Sequence, residues 1–364
     1  MLRVWCALLL CNVAHCCEES YPAQGYRKLS RSELDQAKQL TLVAALLSLF
    51  GSIFIIFSYM HFKSLRTFTF KLVVILSCTD LLCSLHYVLG MLHDTVSEWQ
   101  HHECPTLMCY FTAAAHQYSK IASFVWTACI SYSIYATLDS RDAEAEESHF
   151  HRLAWGTAAV CLFGVVATGS LGHGGNWCWI RQDRPWQRMT FYFTPLVLVM
   201  VYNGKMYARI GALLRETQFV ASQRVVTKLR RYIGVFLFIN IFGVLHRLQN
   251  LASPEHPSYL LFALQSFFDP LQGFGNAVVY GLNRKLINKY AEVLELRYPR
   301  LASMLGVGHK KAEGDPEIRQ QQKESEMIAM LSDTRHGSSS GDSTVGAAEA
   351  ASRDGVNMEV PVPV

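Results

Sequence analysis

The segment QLTLVAALLSLFGSIFIIFSYM, Gln39–Met60, runs for 22 residues without a charged side chain. As a helix rising about 1.5 Å per residue it reaches about 33 Å, enough to cross the roughly 30 Å hydrocarbon core of a bilayer. Working outward, six further apolar stretches follow: Leu72–Leu92, Thr106–Leu138, Leu153–Leu171, Met189–Tyr207, Tyr232–Ala252 and Tyr259–Gly281. Polar connections separate them, and Pro254 and Pro257 break the chain between the last two. A backbone in lipid must satisfy its own hydrogen bonds, so such stretches are helices. The expected fold class is an all-α membrane protein, a seven-transmembrane helix bundle over residues 39–281.

Lys and Arg in the short loops set the orientation. With the N-terminus outside, the inner loops carry Lys63, Arg66, Lys71, Arg141, Arg152, Lys205, Arg209, Arg215, Arg224, Lys228, Arg230, Arg231, Arg284, Lys285 and Lys289. The outer side carries Arg27, Lys28, Arg31, Lys38, Arg181, Arg184 and Arg188. The asymmetry, 15 against 7, places the N-terminus outside and the C-terminus inside. The second inner loop is acidic (Asp142, Glu144, Glu146, Glu147), but acids count little in this rule.

Residues 1–16 read either as a signal peptide, with Arg3, an apolar run and small residues near Cys16, or as an uncleaved tail too short to span. Residues 17–38 then form a short ectodomain. After Gly281, residues 282–305 place apolar side chains at helical spacing among basic ones, the pattern of an amphipathic juxtamembrane helix on the inner leaflet. Residues 306–364 are rich in Gly, Ser, Glu and Gln and read as a disordered cytoplasmic tail.

The chain is 51% hydrophobic and 17% charged, and its net charge of +4 gives no reason to expect a nucleic acid partner. Of the 11 cysteines, Cys78, Cys83, Cys129 and Cys161 fall inside spans as small apolar residues. Cys16, Cys17, Cys104, Cys109 and Cys178 sit where an oxidising exterior reaches them, an odd number that leaves one unpaired. No metal-ligand spacing, nucleophile elbow or phosphate loop is present, so no cofactor, metal or enzymatic chemistry is expected.

Several strings in order along the chain resemble the cyclic-AMP-receptor-like branch of G-protein-coupled receptors. They are GSIFI (51–55), FKSLRTF (62–68), KLV (71–73) with SCTDLL (77–82), SFVWT (123–127), GNWCWI (175–180), HRLQN (246–250) and LQGFGNAVVYG (271–281). The resemblance implies a heptahelical plasma-membrane receptor for an extracellular ligand, activating a heterotrimeric G protein. It also implies a Cys109–Cys178 bridge pinning the second outer loop over the bundle mouth; the residues alone also allow a free Cys109 at the membrane edge, with Cys104 bridging instead. It does not carry the ligand. The inner end of span three reads ISYSIY (130–135) rather than Asp-Arg-Tyr, so any lock between spans three and six uses other residues than in rhodopsin-type receptors.

Asp80, Lys120 and Asp269 are charges inside spans. A lone charge at the bilayer centre costs roughly 3 kcal/mol or more, so each must face the interior and find a partner. The reading pairs Lys120 with Asp80, with Asp269 as second choice because Pro270 kinks span seven. Such a pair is either a static tie or a switch whose partner changes on activation.

His246 and Arg247, under a loop carrying Arg181, Arg184 and Arg188, suit an anionic ligand gripped by guanidinium groups. Snorkelling to head groups is the equal alternative. On the inner side, Lys63, Arg66, Arg224, Lys228, Arg230 and Arg231 form the expected G-protein contact, with anionic membrane lipids the competing partner. The rival function is a seven-span proton- or ion-coupled transporter using Asp80, Lys120 and Asp269 as its relay. No internal repeat of the carrier kind is visible.

Overall fold

The computed structural model describes residues 30–97, 107–139, 141–174, 177–216, 220–253, 256, 258–281 and 284–304. Of these, the backbone alone is described at 93–97, 138, 173, 213–216, 220–232, 281, 284, 285, 302 and 303. All of them belong to one compact unit, Met1–Gly306.

Helix α1, Arg31–His61, opens on a capping box. The Ser30 hydroxyl accepts from the Glu33 N–H at 3.3 Å, and the Glu33 carboxylate accepts from the Ser30 N–H at 2.7 Å. A 3₁₀ turn (Lys63–Leu65) leads to α2 (Phe68–Ser97), then α3 (Leu107–Leu138) and α4 (Glu147–Ala167). The fourth helix therefore starts a turn and a half before the apolar stretch that marks it in the sequence. It ends in a Schellman motif: Gly169 takes φ 61°, its N–H donates to Val166 O at 3.0 Å, and the Ser170 N–H reaches Val165 O at 3.1 Å.

That turn feeds a hairpin that the periodicity does not reveal. Strands β1 (Leu171–His173) and β2 (Cys178–Ile180) pair antiparallel with Gly172 opposite Trp179. Next come a single turn α5 (Pro185–Arg188), a π-helical turn (Met189–Phe193) and α6 (Thr194–Glu216). Helix α7 runs from Val220 to Ala252, so spans five and six are both extended well past their apolar stretches. The last apolar stretch is α8 (Tyr259–Phe268), a 3₁₀ turn (Asp269–Leu271) and α9 (Gln272–Gly281), followed by α10 (Arg284–Arg297) and α11 (Pro299–Met304).

Pro270 lies within the 3₁₀ turn and Pro195 two residues past the π-turn, and neither has an N–H to return to the preceding turn. The carbonyls left over find side-chain donors. Phe191 O, four residues before Pro195, accepts from Gln117 Nε2 at 2.9 Å. Ser266 O, four before Pro270, accepts from the Thr41 hydroxyl at 3.0 Å.

Helix α3 is the hub, packed against α2, α4, α6, α7 and both strands. Among the described residues four helical segments are long and apolar enough on composition to cross a membrane: α1, Phe68–Leu92 of α2, α4 and Ile233–Ala252 of α7. Helix α3 has the length but turns Gln117, Lys120, Ser123, Thr127 and Ser131 into the interior, which dilutes its apolar character. Helices α1 and α9 approach closely: a Cβ added at Gly51 would lie 2.9 Å from the Ala277 Cβ, and one at Gly273 would lie 2.4 Å from the Ser52 hydroxyl. At the end away from the hairpin, α10 buries Leu286 against Phe62 and Leu65, and the Tyr290 and Ser58 hydroxyls lie 2.8 Å apart.

Candidate functional site

The spacing of Lys120, Ser123, Thr127 and Ser131 repeats every three to four residues, so all four fall on one face of α3. Thr127 and Ser131 return their hydroxyl protons to carbonyls one turn back. Lys120 and Ser123 reach across the bundle.

Lys120 Nζ lies 2.7 Å from Asp269 Oδ1 and 2.7 Å from the Asp269 carbonyl oxygen. The Tyr87 hydroxyl donates to Asp269 Oδ2 at 3.2 Å, and the Tyr192 hydroxyl is 3.4 Å from Oδ1. Lys120 is 1% exposed and Asp269 9%. This corrects the expected Lys120–Asp80 pair. Asp269 sits at the 3₁₀ turn that Pro270 imposes, so it offers a carboxylate and a carbonyl together, and an ammonium with three donors uses both. Asp80 is held instead by neutral donors. Ser123 gives its hydroxyl proton to Oδ1 at 2.8 Å, and Asn276 Nδ2 donates to Oδ2 at 2.6 Å. Gln272 Nε2 donates to the Ser123 hydroxyl at 2.7 Å. The three charges thus belong to two adjoining networks that tie α2, α3, the π-turn and the broken α8–α9 segment.

Above this centre the hairpin forms a cover. Cys109 on α3 and Cys178 on β2 are joined by a disulfide, with Cα atoms 5.3 Å apart. Trp179 Nε1 donates to Gln117 Oε1 at 2.9 Å, so Gln117 bridges the hairpin and the carbonyl next to the π-turn. Trp177 packs edge-on to Tyr87, with ring centres 5.3 Å apart. Arg188 is buried inside the hairpin: Nε donates to Ile180 O at 3.0 Å and Arg181 O at 3.1 Å, Nη2 donates to Gly174 O at 2.9 Å, and the guanidinium lies 5.0 Å from the Trp179 ring centre.

The four residues expected to meet an anion separate on inspection. Arg181 is clamped on Asp183, with Nε at 3.0 Å and Nη2 at 2.7 Å. Burial pushes the Asp183 carboxyl up, but the hydrogen bonds and charge of Arg181 outweigh it and hold the group below the usual carboxylate value. Arg184 Nε is 3.6 Å from the same carboxylate. His246 is fully buried between Gln265 Oε1 and Asn250 Nδ2, the latter at 3.1 Å. Arg247 differs: its guanidinium lies 5.5 Å from the Phe193 ring centre, and its Nε has no hydrogen-bond partner among the described residues.

At the opposite end Lys63 and Arg66 are exposed. Arg66 Nη2 caps the last turn of α1 through Met60 O at 2.9 Å. Arg224, Lys228, Arg230 and Arg231 lie on the backbone of α7, and their side chains fall outside the described residues.

Residues 28–307 match the model of the slime mold cyclic AMP receptor family. The chain belongs to that family. It is 26% identical over 268 residues to cyclic AMP receptor-like protein A of Dictyostelium discoideum, covering 73% of this chain and 69% of that one. It is 29% identical over 306 residues to G-protein coupled receptor 1 of Arabidopsis thaliana, covering 79% and 90%. Cyclic AMP receptor 4 of Dictyostelium discoideum is 24% identical over 277 residues, covering 71% and 59%. A member of this receptor family with several apolar helices is a multi-pass membrane protein, and the plasma membrane is the usual site of such receptors.

Several residues of this family member's site carry no charge, and sequence reasoning gave them no role. Gln117, Tyr87, Tyr192, Gln272 and Asn276 complete the networks. A usable signal existed for Gln117, because a polar residue three before Lys120 shares the inward face of α3.

Proposed function

We propose that this chain is a seven-span receptor, N-terminus outside, that senses an extracellular ligand and activates a heterotrimeric G protein by helix rearrangement rather than catalysis. In this reading residues 39–281 form the bundle, 282–305 the juxtamembrane helix and 306–364 a cytoplasmic tail. Together with the family membership, one observation carries the reading: the Lys120–Asp269 pair sits at the break between α8 and α9 and directly beneath the disulfide-anchored hairpin. A ligand that displaces Trp177 or Trp179 moves Tyr87 and Gln117, and through them the Asp269 turn and the π-turn. Two packed arrangements of such a buried network make a switch rather than a graded spring.

Arg247 is the cation best placed to meet an anionic ligand, because Arg181 and His246 are already engaged. Cyclic AMP is the first compound to try, since it names several of the relatives. The exposed Lys63 and Arg66, with Arg224, Lys228, Arg230 and Arg231, form the G-protein face. The test is nucleotide exchange on a panel of purified heterotrimers, using membranes that carry the full chain and small anionic metabolites. Exchange that rises with a ligand and is lost or made constitutive in Lys120→Met supports the reading. Vesicle uptake of the same compound without exchange on any heterotrimer replaces it with the transporter.

A further inference from the structure

A cavity of about 520 Å³ lies between α3, α4 and α6, toward the end of the bundle away from the hairpin. It is separate from both polar networks. Its walls are apolar and aromatic, with Cys129 and Tyr132 from α3, Phe150 from α4 and Tyr202 from α6. Its mouth opens between Leu153, 46% exposed, and Leu198, 64% exposed. Those leucines stand on the outward faces of α4 and α6 beside Val160, Val197 and Val201, also exposed, so in a multi-pass membrane protein the mouth faces hydrocarbon. Whatever fills it comes from the bilayer.

One end of the cavity is polar. Glu146 and His149, at and just inside the start of α4, close it at the membrane boundary. Glu147 is paired with Lys71 at 2.6 Å and Arg141 with Asp139 at 2.8 Å, which leaves Glu146 beside the exposed Asp142 and Glu144, so a phosphate or carboxylate head group meets like charge there. A hydroxyl does not: it gives its proton to the carboxylate and accepts from the imidazole. The volume falls in the range of sites that enclose a drug-sized molecule, and a rigid ring system loses less freedom on entering than an acyl chain of the same size.

We propose that this cavity is a binding site for a membrane sterol, with the rings against Tyr132, Phe150 and Tyr202 and the hydroxyl at Glu146 and His149. The proposal rests on the multi-pass reading alone and not on the ligand or the G protein.

The experiment uses the full chain in phosphatidylcholine nanodiscs containing a photoactivatable diazirine analogue of cholesterol, with adducts mapped by peptide mass spectrometry. Phe50 and Phe57, on the exposed face of α1, report general lipid contact. Adducts on the cavity-lining peptides at a density about fivefold above the α1 face, competed by unlabelled cholesterol and not by oleic acid, are the expected result. Thr157→Phe and Ala128→Phe, which each fill the cavity from a different helix, should each remove the excess. Equal density on the two faces, equal competition by oleic acid, or an excess that survives both fillings overturns the proposal. Photolabelling reads occupancy without signalling, so a failure of G-protein activation leaves this outcome untouched.

Discussion

Lys120 and Asp269 meet through two contacts of 2.7 Å, one to the carboxylate and one to the backbone carbonyl of the same residue. The second contact exists because Pro270 tightens the chain into a 3₁₀ turn there. A side-chain substitution at 269 therefore removes only half of what holds the ammonium.

Removing one member of a buried pair leaves an uncompensated charge, at about 3–5 kcal/mol, whereas deleting both can be nearly neutral. Lys120→Met and Asp269→Asn should each lower the melting temperature in detergent, and the double variant should recover much of the loss. Lys120→Met with Asp80→Asn should show no such recovery. Thermal unfolding of the three singles and two doubles checks this, and recovery with Asp80→Asn alone would return Lys120 to Asp80.

Asp80 should respond differently to two substitutions. Asp80→Asn keeps a side chain that can still accept from Ser123 or Asn276, and should cost about 1 kcal/mol. Asp80→Leu leaves Asn276 and Ser123 without their acceptor and should cost about 2–6 kcal/mol, summing about 1–3 for each buried group stranded. Thermal stability of the purified variants gives the ordering, and equal losses would contradict it.

The hairpin bond gives a non-additive prediction. Cys109→Ser and Cys178→Ser should each lower stability by about 2–5 kcal/mol and reduce surface display, with the double variant no worse than either. Surface labelling of intact cells reads the outcome, and additive losses would mean that the two cysteines act separately.

Gln117 serves two partners at once. Gln117→Leu strands the Trp179 indole N–H and the Phe191 carbonyl, at about 1–3 kcal/mol for each buried group left unsatisfied. Pro195→Ala restores an N–H beside that carbonyl, so the double variant should lose less than the two singles added. A double-mutant cycle on melting temperature measures the coupling, and none is found if the Phe191 contact is incidental.

At the face proposed to meet the G protein, replacing Arg224, Lys228, Arg230 and Arg231 with Ala should leave surface level and ligand affinity nearly intact and depress nucleotide exchange about tenfold or more, the scale of one lost charge-assisted contact. Full-strength exchange at matched surface levels would assign the strip to lipid or topology.

The long apolar stretches were legible because burial in lipid demands length and little else. The partner of Lys120 was not. Depth along a span places Asp80 and Asp269 alike, and only the three-dimensional turn at Pro270 shows which offers two acceptors. The hairpin is not legible in the sequence because three-residue strands containing Gly172 and His173 have too few positions to establish a period of two. Arg181 read as a ligand cation although its acid, Asp183, stands two residues away, since loop residues carry no periodicity that says where they face. The Cys109–Cys178 pairing came from the family resemblance, and the loop spacing alone left Cys104 open.

The π-turn at Met189–Phe193 amounts to one residue more than an unbroken α-helix would hold over the same distance. Each residue of α-helix turns the chain by about 100°, so everything on one side of the turn is rotated by that amount relative to a straight continuation. Comparisons across this segment must therefore carry a single-residue gap wherever a relative lacks the turn. Aligned without it, the residues on one side of the turn would be matched one position off, about 100° around the helix axis, and a shortened chain missing one residue here would keep its helix while losing the register of its cover.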